Sequence, residues 1–346
     1  MADLGFSPNC RTTAMGILPH RDIERALGLA FSLDIPFWPQ LPKVSFFEDM
    51  YVQALEHFPG VTIDAVQQKI FFDLSRFYEE LPLYFERAED PETFRLTRDF
   101  SLVYHRFLEE DLSTYVAVRG QVISPISLGL KVVDQDRKPM IYHDEVREVL
   151  FDFIQKKVNQ QYRELKSKNP NAFVWVDDPG LELIFTAFSG YNESQAKGDL
   201  DRFWAGAEGP KGLHLCARPD WDFLLRSRLE ILSFDSFNCG AVIVNYTSLV
   251  EFVRRGGVVS WGIVPTYTEL LDQESLGSLM DRLERFWDDL SKKGLDRGLL
   301  LRQSLLAPAT CNLMSPDKEK PVEQAFEVLR RLSEEVRERY QLQGVD

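Results

Sequence analysis

The hydrophobic positions along the chain alternate between short runs typical of buried strands and longer stretches with helical spacing. The run AFVWV at 172–176 is apolar at every position, as expected for a strand that is buried on both faces. The stretch 144–165 repeats apolar residues every three or four positions, with Val146, Val149 and Phe153 on one stripe. That spacing predicts an amphipathic helix.

The same alternation continues along the whole chain. The pattern predicts strands at 11–18, 115–128, 172–176, 212–217, 229–234, 258–264 and 299–306, with a further extended run at 35–38. It predicts helices at 21–33, 46–57, 74–87, 91–112, 144–165, 219–226, 247–255, 276–292 and 321–340. About eight strands alternating with helices favour a closed parallel barrel over an open sheet. We therefore expect an α/β fold, a single (β/α)8 TIM barrel over residues 1–346 with N-terminal and loop elaborations.

Composition and charge narrow the class of protein. The 346 residues are 44% hydrophobic and 12% aromatic, which excludes a disordered chain. The 54 acidic against 40 basic residues give a net charge of −14, which repels phosphate backbones, so we expect no nucleic-acid partner. No apolar run reaches the ~20 residues of a membrane span, so we expect no membrane insertion. Four cysteines in a chain of this length predict free thiols in a cytoplasmic protein.

Four side chains that can bind a metal lie where predicted strands end. His214 and Cys216 are two residues apart in one strand, so both can face the same side. Asp235 follows the next strand, and Cys311 follows the last one. One imidazole, two thiols and one carboxylate suit tetrahedral Zn²⁺, although buried core packing of His and Cys explains the residues equally well. We expect the other cysteines, Cys10 and Cys239, to be apolar core residues.

Three segments carry a resemblance to a known superfamily. RTTAMGILP resembles the TTxGSxP opening of the catalytic domain of cobalamin-independent methionine synthase. VRGQVISPISLG resembles the KGQxxGPxTL strand shared by the uroporphyrinogen decarboxylase and methionine synthase superfamily, and FVWVDDPGLE resembles its IQxDEPAL segment. The segments HLC, SFDS and APATC follow the order of that synthase's zinc ligands. LLAPATC is also similar to the LAPGC segment of zinc methyltransferases that use corrinoid proteins.

The resemblance implies a zinc-dependent methyltransferase acting on a small-molecule thiol. It assigns His214, Cys216, Asp235 and Cys311 as zinc ligands, with Asp235 in a position where the family usually has Glu. Asp177 would bind the amine of an amino-thiol acceptor. No protein residue is assigned as catalytic, because the zinc-bound thiolate of the acceptor would be the nucleophile.

Two further residues of the sequence are candidates for substrate binding. The resemblance implies substrate contact for Gln121, which lies in the KGQ-like segment. Trp261, in a predicted strand, could lie at the floor of the site against a flat ligand, although core packing is the commoner role of such a residue.

Departures from the family bear on the methyl donor. Gly16 and Ile17 replace the family's Gly-Ser, and Ser260 lies in the segment where the synthase has a His that protonates folate. Gly129 lies in the segment where the synthase has a Trp that stacks on the pterin. These losses favour a corrinoid protein over methyltetrahydrofolate as donor, with a homocysteine-like or coenzyme M-like thiol as acceptor. The alternatives are a metal-free lyase similar to uroporphyrinogen decarboxylase and a non-catalytic ligand-binding barrel.

Overall fold

The computed structural model describes residues 4–186, 190–311 and 319–342. The strands are β1 (Arg11–Thr12), β2 (Val61–Asp64), β3 (Lys69–Phe72), β4 (Val118–Ile123), β5 (Ala172–Asp177), β6 (Lys211–Leu215), β7 (Ile231–Phe234), β8 (Val258–Val264) and β9 (Ser304–Pro308). The helices are α1 (Ile23–Phe31), α2 (Met50–Ala54), α3 (Leu74–Arg87), α4 (Leu102–Glu109), α5 (Pro125–Lys131), α6 (Asp144–Lys166), α7 (Glu193–Gly206), α8 (Trp221–Leu225), α9 (Ser236–Ile243), α10 (Thr247–Arg254), α11 (Thr268–Leu271), α12 (Leu276–Lys292), α13 (Arg297–Arg302) and α14 (Lys320–Arg339).

Seven strands form one curled parallel sheet in the order β1-β9-β8-β7-β6-β5-β4. The extended segment 35–40 lies between the two edge strands and pairs with both sides. The amide of Ile35 donates to the carbonyl of Thr12 at 3.0 Å, and the amide of Arg119 donates to the carbonyl of Pro36 at 2.9 Å. The predicted α/β fold with a parallel, TIM-like barrel is confirmed.

The end of the barrel at the strand N-termini is filled with apolar side chains. Its inward-facing cluster consists of Ile35, Ala117, Phe173, Trp175, Ile231, Val258 and Leu305. Leu4 and Phe6 pack against this cluster from the N-terminal segment, and the Phe6 ring stacks on Phe173 at 5.9 Å between centroids. Because this end is packed with apolar side chains, we expect the polar side chains that face solvent at the end formed by the strand C-termini.

A buried arginine joins the closing segment to the sheet. Arg119 on β4 is fully buried, and its guanidinium lies 5.1 Å from the Phe37 ring and 4.2 Å from the Trp175 ring. It donates hydrogen bonds to the carbonyl of Ala14 and to Oε1 of Gln121. Burial lowers the pKa of Arg119 to about 9. These contacts fix the segment after β1, the segment 35–40 and β4 relative to one another.

The last predicted strand, 299–306, is partly wrong. Residues 297–302 form α13, capped by the Asp296 carboxylate, which accepts from the amide of Leu299 at 2.7 Å. Only β9 (Ser304–Pro308) is extended. The prediction failed here because a short apolar run reads the same as a buried strand or a buried helical turn, and the capping Asp296 was the signal that separates them.

The N-terminal elaboration is more divided than the pattern predicted. The predicted helix 91–112 is a 3₁₀ turn at Pro91–Phe94 and a separate helix, α4. The hairpin of β2 and β3 in this elaboration was not predicted.

The later helices agree with the sequence pattern in part. Helices α7 and α9 were not predicted. Helix α6 agrees with its prediction within one residue at its C-terminal end. Within the described ranges, no helix combines the length and the apolar character that crossing a membrane requires.

Helix α6 carries a buried lysine whose charge depends on pH. The Lys157 ammonium is fully buried and approaches Oε2 of Glu56 only to 3.8 Å. Burial lowers the pKa of Lys157 to about 8. Between pH 8 and 10.5 the unfolded chain therefore keeps a proton at this lysine that the folded protein has lost, so this group makes the fold more stable as pH rises.

Lys157→Met should remove this pH dependence. We expect the free energy of unfolding of the unmodified protein to gain up to about 3 kcal/mol relative to the variant between pH 8 and 10.5. Urea unfolding of both proteins across this range measures the difference, with Lys156→Met, a more exposed neighbour, as the control. Parallel pH profiles for Lys157→Met and the unmodified protein would contradict the assignment.

Candidate metal and thiol site

His214 lies at the C-terminal end of β6, and three contacts fix its ring. The imidazole stacks on Trp175 with 5.9 Å between ring centroids and 11° between planes. Its Nδ1 is 3.0 Å from Oγ of Ser233, and its Nε2 is 3.1 Å from Sγ of Cys216. Gly212 makes room for Trp175, since a Cβ there would lie 2.3 Å from that indole. The ring thus presents one nitrogen to a buried hydroxyl and the other to a thiol.

The structure brings Cys216 and Cys311 close to each other. The two thiols are hydrogen-bonded to each other, and the Thr310 hydroxyl donates to Sγ of Cys216 at 3.4 Å. The interaction between the two thiols lowers the pKa of Cys311 and, together with burial of the sulfur, raises that of Cys216 to about 12. The two thiols of the cluster are therefore electrostatically coupled.

One imidazole and two thiols are ligand types that zinc prefers. The distance between His214 and Cys216, however, is that of a hydrogen bond and is shorter than the distance between two zinc ligands. Ligand distances of about 2.0–2.1 Å for nitrogen and 2.3 Å for sulfur place two tetrahedral ligands about 3.6 Å apart, against 3.1 Å between His214 and Cys216. Among residues 4–186, 190–311 and 319–342, no group of three His, Cys, Asp or Glu side chains is arranged to hold a metal. For the His214–Cys216 pair alone, zinc binding would require the two ligand atoms to separate by about half an ångström.

Asp235 lies beside this cluster, but its carboxylate caps a helix. Oδ1 accepts from the Asn238 amide at 3.0 Å and Oδ2 accepts from the Asn238 side chain at 2.7 Å, which caps α9. Burial raises the pKa of Asp235, while its hydrogen bonds from Asn238 oppose the rise. The role of Asp235 as a ligand stays a prediction, and its role as a helix cap is visible.

Two adjacent carboxyl groups end β5 next to His214. Asp177 is the register partner of His214, and its Oδ1 has no partner among the described residues. Asp178, which the sequence analysis did not single out, donates its amide to the carbonyl of His214 at 2.8 Å and accepts from the Ser127 hydroxyl at 2.6 Å. Burial raises the pKa of each carboxyl to about 7. The tandem acids of the DDPG segment were the signal for this pair.

Tyr51 is a further neighbour that the sequence analysis missed. It comes from α2 in the N-terminal elaboration, far from the strand ends in sequence. Burial and the charges of Asp49, Asp178, Asp177 and Cys311 raise its pKa to about 12, which places its hydroxyl in the electrostatic field of the site. A search restricted to strand ends could not find it.

Gln121 has partners within the protein. Its Nε2 donates to the carbonyl of Trp38 at 2.7 Å, and its Oε1 accepts from Arg119 at 3.1 Å. Gly16 packs directly on this amide, since a Cβ at Gly16 would lie 2.4 Å from it. In this structure Gln121 ties the segment 35–40 to β4, and its predicted contact with substrate stays a prediction.

Trp261 lies on the outer face of β8, away from the barrel interior. Its ring stacks on Phe286 of α12 at 6.1 Å, and its Nε1 donates to Oγ of Ser304 at 3.0 Å. The alternation of side chains along β8 turns Ser260 inward and Trp261 outward. The structure therefore does not bring Trp261 to the His214 cluster, and packing between sheet and helix is its visible role.

Cys239 lies closer to the site than its sequence position indicated. It is buried in the first turn of α9, as expected for a core residue, and its amide donates to the Asp235 carbonyl at 3.0 Å. Its thiol is hydrogen-bonded to Arg218, and burial raises its pKa. Arg218 thus adds a positive charge next to Asp235 and Cys239.

Taken together, these features define a TIM-like barrel with an imidazole and two thiols clustered at the end formed by the strand C-termini. Among solved structures, the chain is similar to a methyltransferase from Methanosarcina mazei, with 12% identity over 95% of this chain and 94% of that one and a TM-score of 0.51. This likeness shows the fold alone.

A second structure is a protein assigned as a vitamin-B12-independent methionine synthase from Listeria monocytogenes. It has 12% identity over 66% of this chain and 69% of that one, and its TM-score of 0.44 is too low to support an argument. No family model matches the sequence, and no curated protein matches it.

Replacing the Asp235 carboxylate should destabilise α9. We expect Asp235→Ala to lower the free energy of unfolding by about 1 kcal/mol, because the amide of Asn238 loses its cap, and Asp235→Ser to retain most of that stability. Urea unfolding of the metal-free variants measures both changes. Asp296→Ala, which removes the cap of α13, provides a matched control. An unchanged stability in Asp235→Ala would show that the cap contributes nothing.

Proposed function

We propose that this protein is a zinc-dependent methyltransferase that transfers a methyl group to a thiol. The observation that supports this most is the contact of His214 with Cys216 and of Cys216 with Cys311 at the open end of the barrel. In TIM barrels this end carries the chemistry. A methyltransferase with the same fold is consistent with the proposal.

His214, Cys216 and Cys311 would hold the metal, leaving a position for the acceptor thiol. A zinc ion bound there would lower the pKa of that thiol and keep it as a thiolate, the stronger nucleophile. The Thr310 hydroxyl, which donates to Sγ of Cys216, would stabilise negative charge on that sulfur. Asp235 would join the ligands only by sharing an oxygen that already caps α9.

The neighbouring carboxyl groups favour an acceptor that carries an amine. Asp177 is nearly buried, and its free Oδ1 can accept a hydrogen bond from an ammonium group. An ammonium group also favours the ionised form of a carboxyl whose pKa burial has raised to about 7. A homocysteine-like amino thiol is therefore the preferred acceptor over coenzyme M, whose sulfonate would meet like charge at Asp177 and Asp178.

A corrinoid donor suits the residues of β8. The acceptor sulfur forms a bond to the methyl carbon, and the carbon–cobalt bond breaks with its electron pair staying on cobalt, so this leaving group needs no proton. A folate donor needs its leaving nitrogen protonated, and an acid for that step contributes about 10²–10⁴-fold. Ser260, in the segment where the resembling synthase has its His, cannot supply that acid. The compartment we propose for this reaction is the cytoplasm.

The ligand assignment is tested by zinc content. Cys216→Ser and Cys311→Ser should each lose most of the bound zinc, because a neutral hydroxyl is a poor zinc ligand at pH 7. Cys10→Ser and Cys239→Ser should keep about one zinc per chain, since Cys10 bonds to the carbonyl of Leu301 outside the site. Metal analysis of the purified proteins gives the result. Equal zinc in all four variants would place the metal elsewhere.

The donor is tested by turnover. With homocysteine as acceptor, we expect methyl transfer from methylcobalamin, which is measured as the loss of the methylcobalamin absorbance. We expect little or no methyl transfer from methyltetrahydrofolate. Coenzyme M should be a poorer acceptor than homocysteine, because it has no amine that could pair with the Asp177 carboxylate. Efficient turnover with methyltetrahydrofolate would contradict the donor assignment and would point to the buried Asp178 carboxyl as the missing proton donor.

A further inference from the structure

We propose that Ser233 is a positioning residue that orients His214 for metal binding. The proposal rests on the proposed function, because it assumes that Nε2 of His214 is a ligand. Ser233 lies on β7 directly opposite His214 on β6, and its Oγ is 3.0 Å from Nδ1 of the imidazole. Ser233 is fully buried, so water does not compete for this contact.

The ring stacking alone leaves the orientation of His214 unsettled. The Trp175 ring fixes the plane of the imidazole, but a half-turn about the Cβ–Cγ bond returns the ring to the same plane with nitrogen and carbon positions exchanged, at almost no change in stacking. The Ser233 hydroxyl breaks this symmetry, since only a nitrogen at the δ position can hydrogen-bond to it. The contact therefore selects the rotamer in which Nε2 faces Cys216.

The same contact selects the form of the ring that can bind a metal. When Nδ1–H donates to Oγ of Ser233, the lone pair of the neutral ring is on Nε2, next to Sγ of Cys216. A metal-binding histidine commonly donates its other ring N–H in this way, and losing such a partner typically costs about 10–100-fold in metal affinity. Ser233 would thus act on the metal through His214 without touching it.

The adjacent strand offers a matched control. Ser260 on β8 is the register partner of Ser233, is fully buried, and has a hydroxyl without a partner among the described residues. Ser260→Ala removes one hydroxyl from the barrel interior, as Ser233→Ala does, but leaves the contact between Ser233 and His214 unchanged. Ser233→Thr provides the conservative variant, because it keeps the hydroxyl on a strand that favours β-branched residues.

Two measurements test the proposal. The first is the ¹⁵N spectrum of the histidine ring nitrogens in metal-free protein, which contains five histidines; we expect Ser233→Ala to change the His214 signals and Ser260→Ala to leave them in place. The second is zinc affinity by chelator competition, where we expect Ser233→Ala to bind about 10–100-fold more weakly. Ser233→Thr and Ser260→Ala should stay close to the unmodified protein.

The outcomes separate this proposal from the proposed function. His214 ring signals that do not change in Ser233→Ala would overturn the contact, and an unchanged zinc affinity in that variant would overturn the positioning role. An equal loss of affinity in Ser260→Ala would also overturn it, by showing a general effect of altering the interior. If the unmodified protein binds no zinc, the proposed function fails, while the ring spectra still report whether Ser233 holds His214.

Discussion

The barrel depends on one closure, because a parallel sheet of seven strands leaves β1 and β4 as open edges. The segment 35–40 fills that gap with backbone hydrogen bonds to both sides. Two buried polar side chains of β4 stabilise this closure. Gln121 donates to the carbonyl of Trp38 in the segment 35–40, and Arg119 donates to Gln121. Burying a guanidinium is costly, and the two aromatic neighbours of Arg119, its carbonyl acceptors and the charge of Asp177 compensate part of that cost.

Once the barrel is closed, strand alternation decides which side chains meet. Asp177, His214 and Ser233 are register partners on three adjacent strands, and all face the interior. A packed apolar layer fills the opposite end of the barrel. Burial then raises the pKa of Asp177, and the hydrogen-bonded ring of His214 contacts the Cys216 thiol. The chemistry we propose follows from this placement.

Much of the fold and the central pair of the site could be predicted from the sequence. Helical periodicity located α6, and the spacing of His214 and Cys216 indicated two neighbouring side chains, although β6 ends at Leu215 and Cys216 follows it. The predictions were weaker where tertiary contacts decide. Asp235 has the position of a ligand and the bonds of a helix cap, and Trp261 lies on the outer face of its strand. The charges of the site raise the pKa of Tyr51, which comes from a helix distant in sequence, and no local pattern encodes that proximity.

The central claim is that a metal held by His214, Cys216 and Cys311 binds the acceptor thiol directly. X-ray absorption at the zinc edge of the zinc-loaded protein, before and after adding homocysteine, tests it most directly. We expect two sulfur ligands at about 2.3 Å and at least one nitrogen ligand without the thiol, and three sulfur ligands once it is added. A sulfur count that is zero at the start, or that does not rise when the thiol is added, would contradict the account.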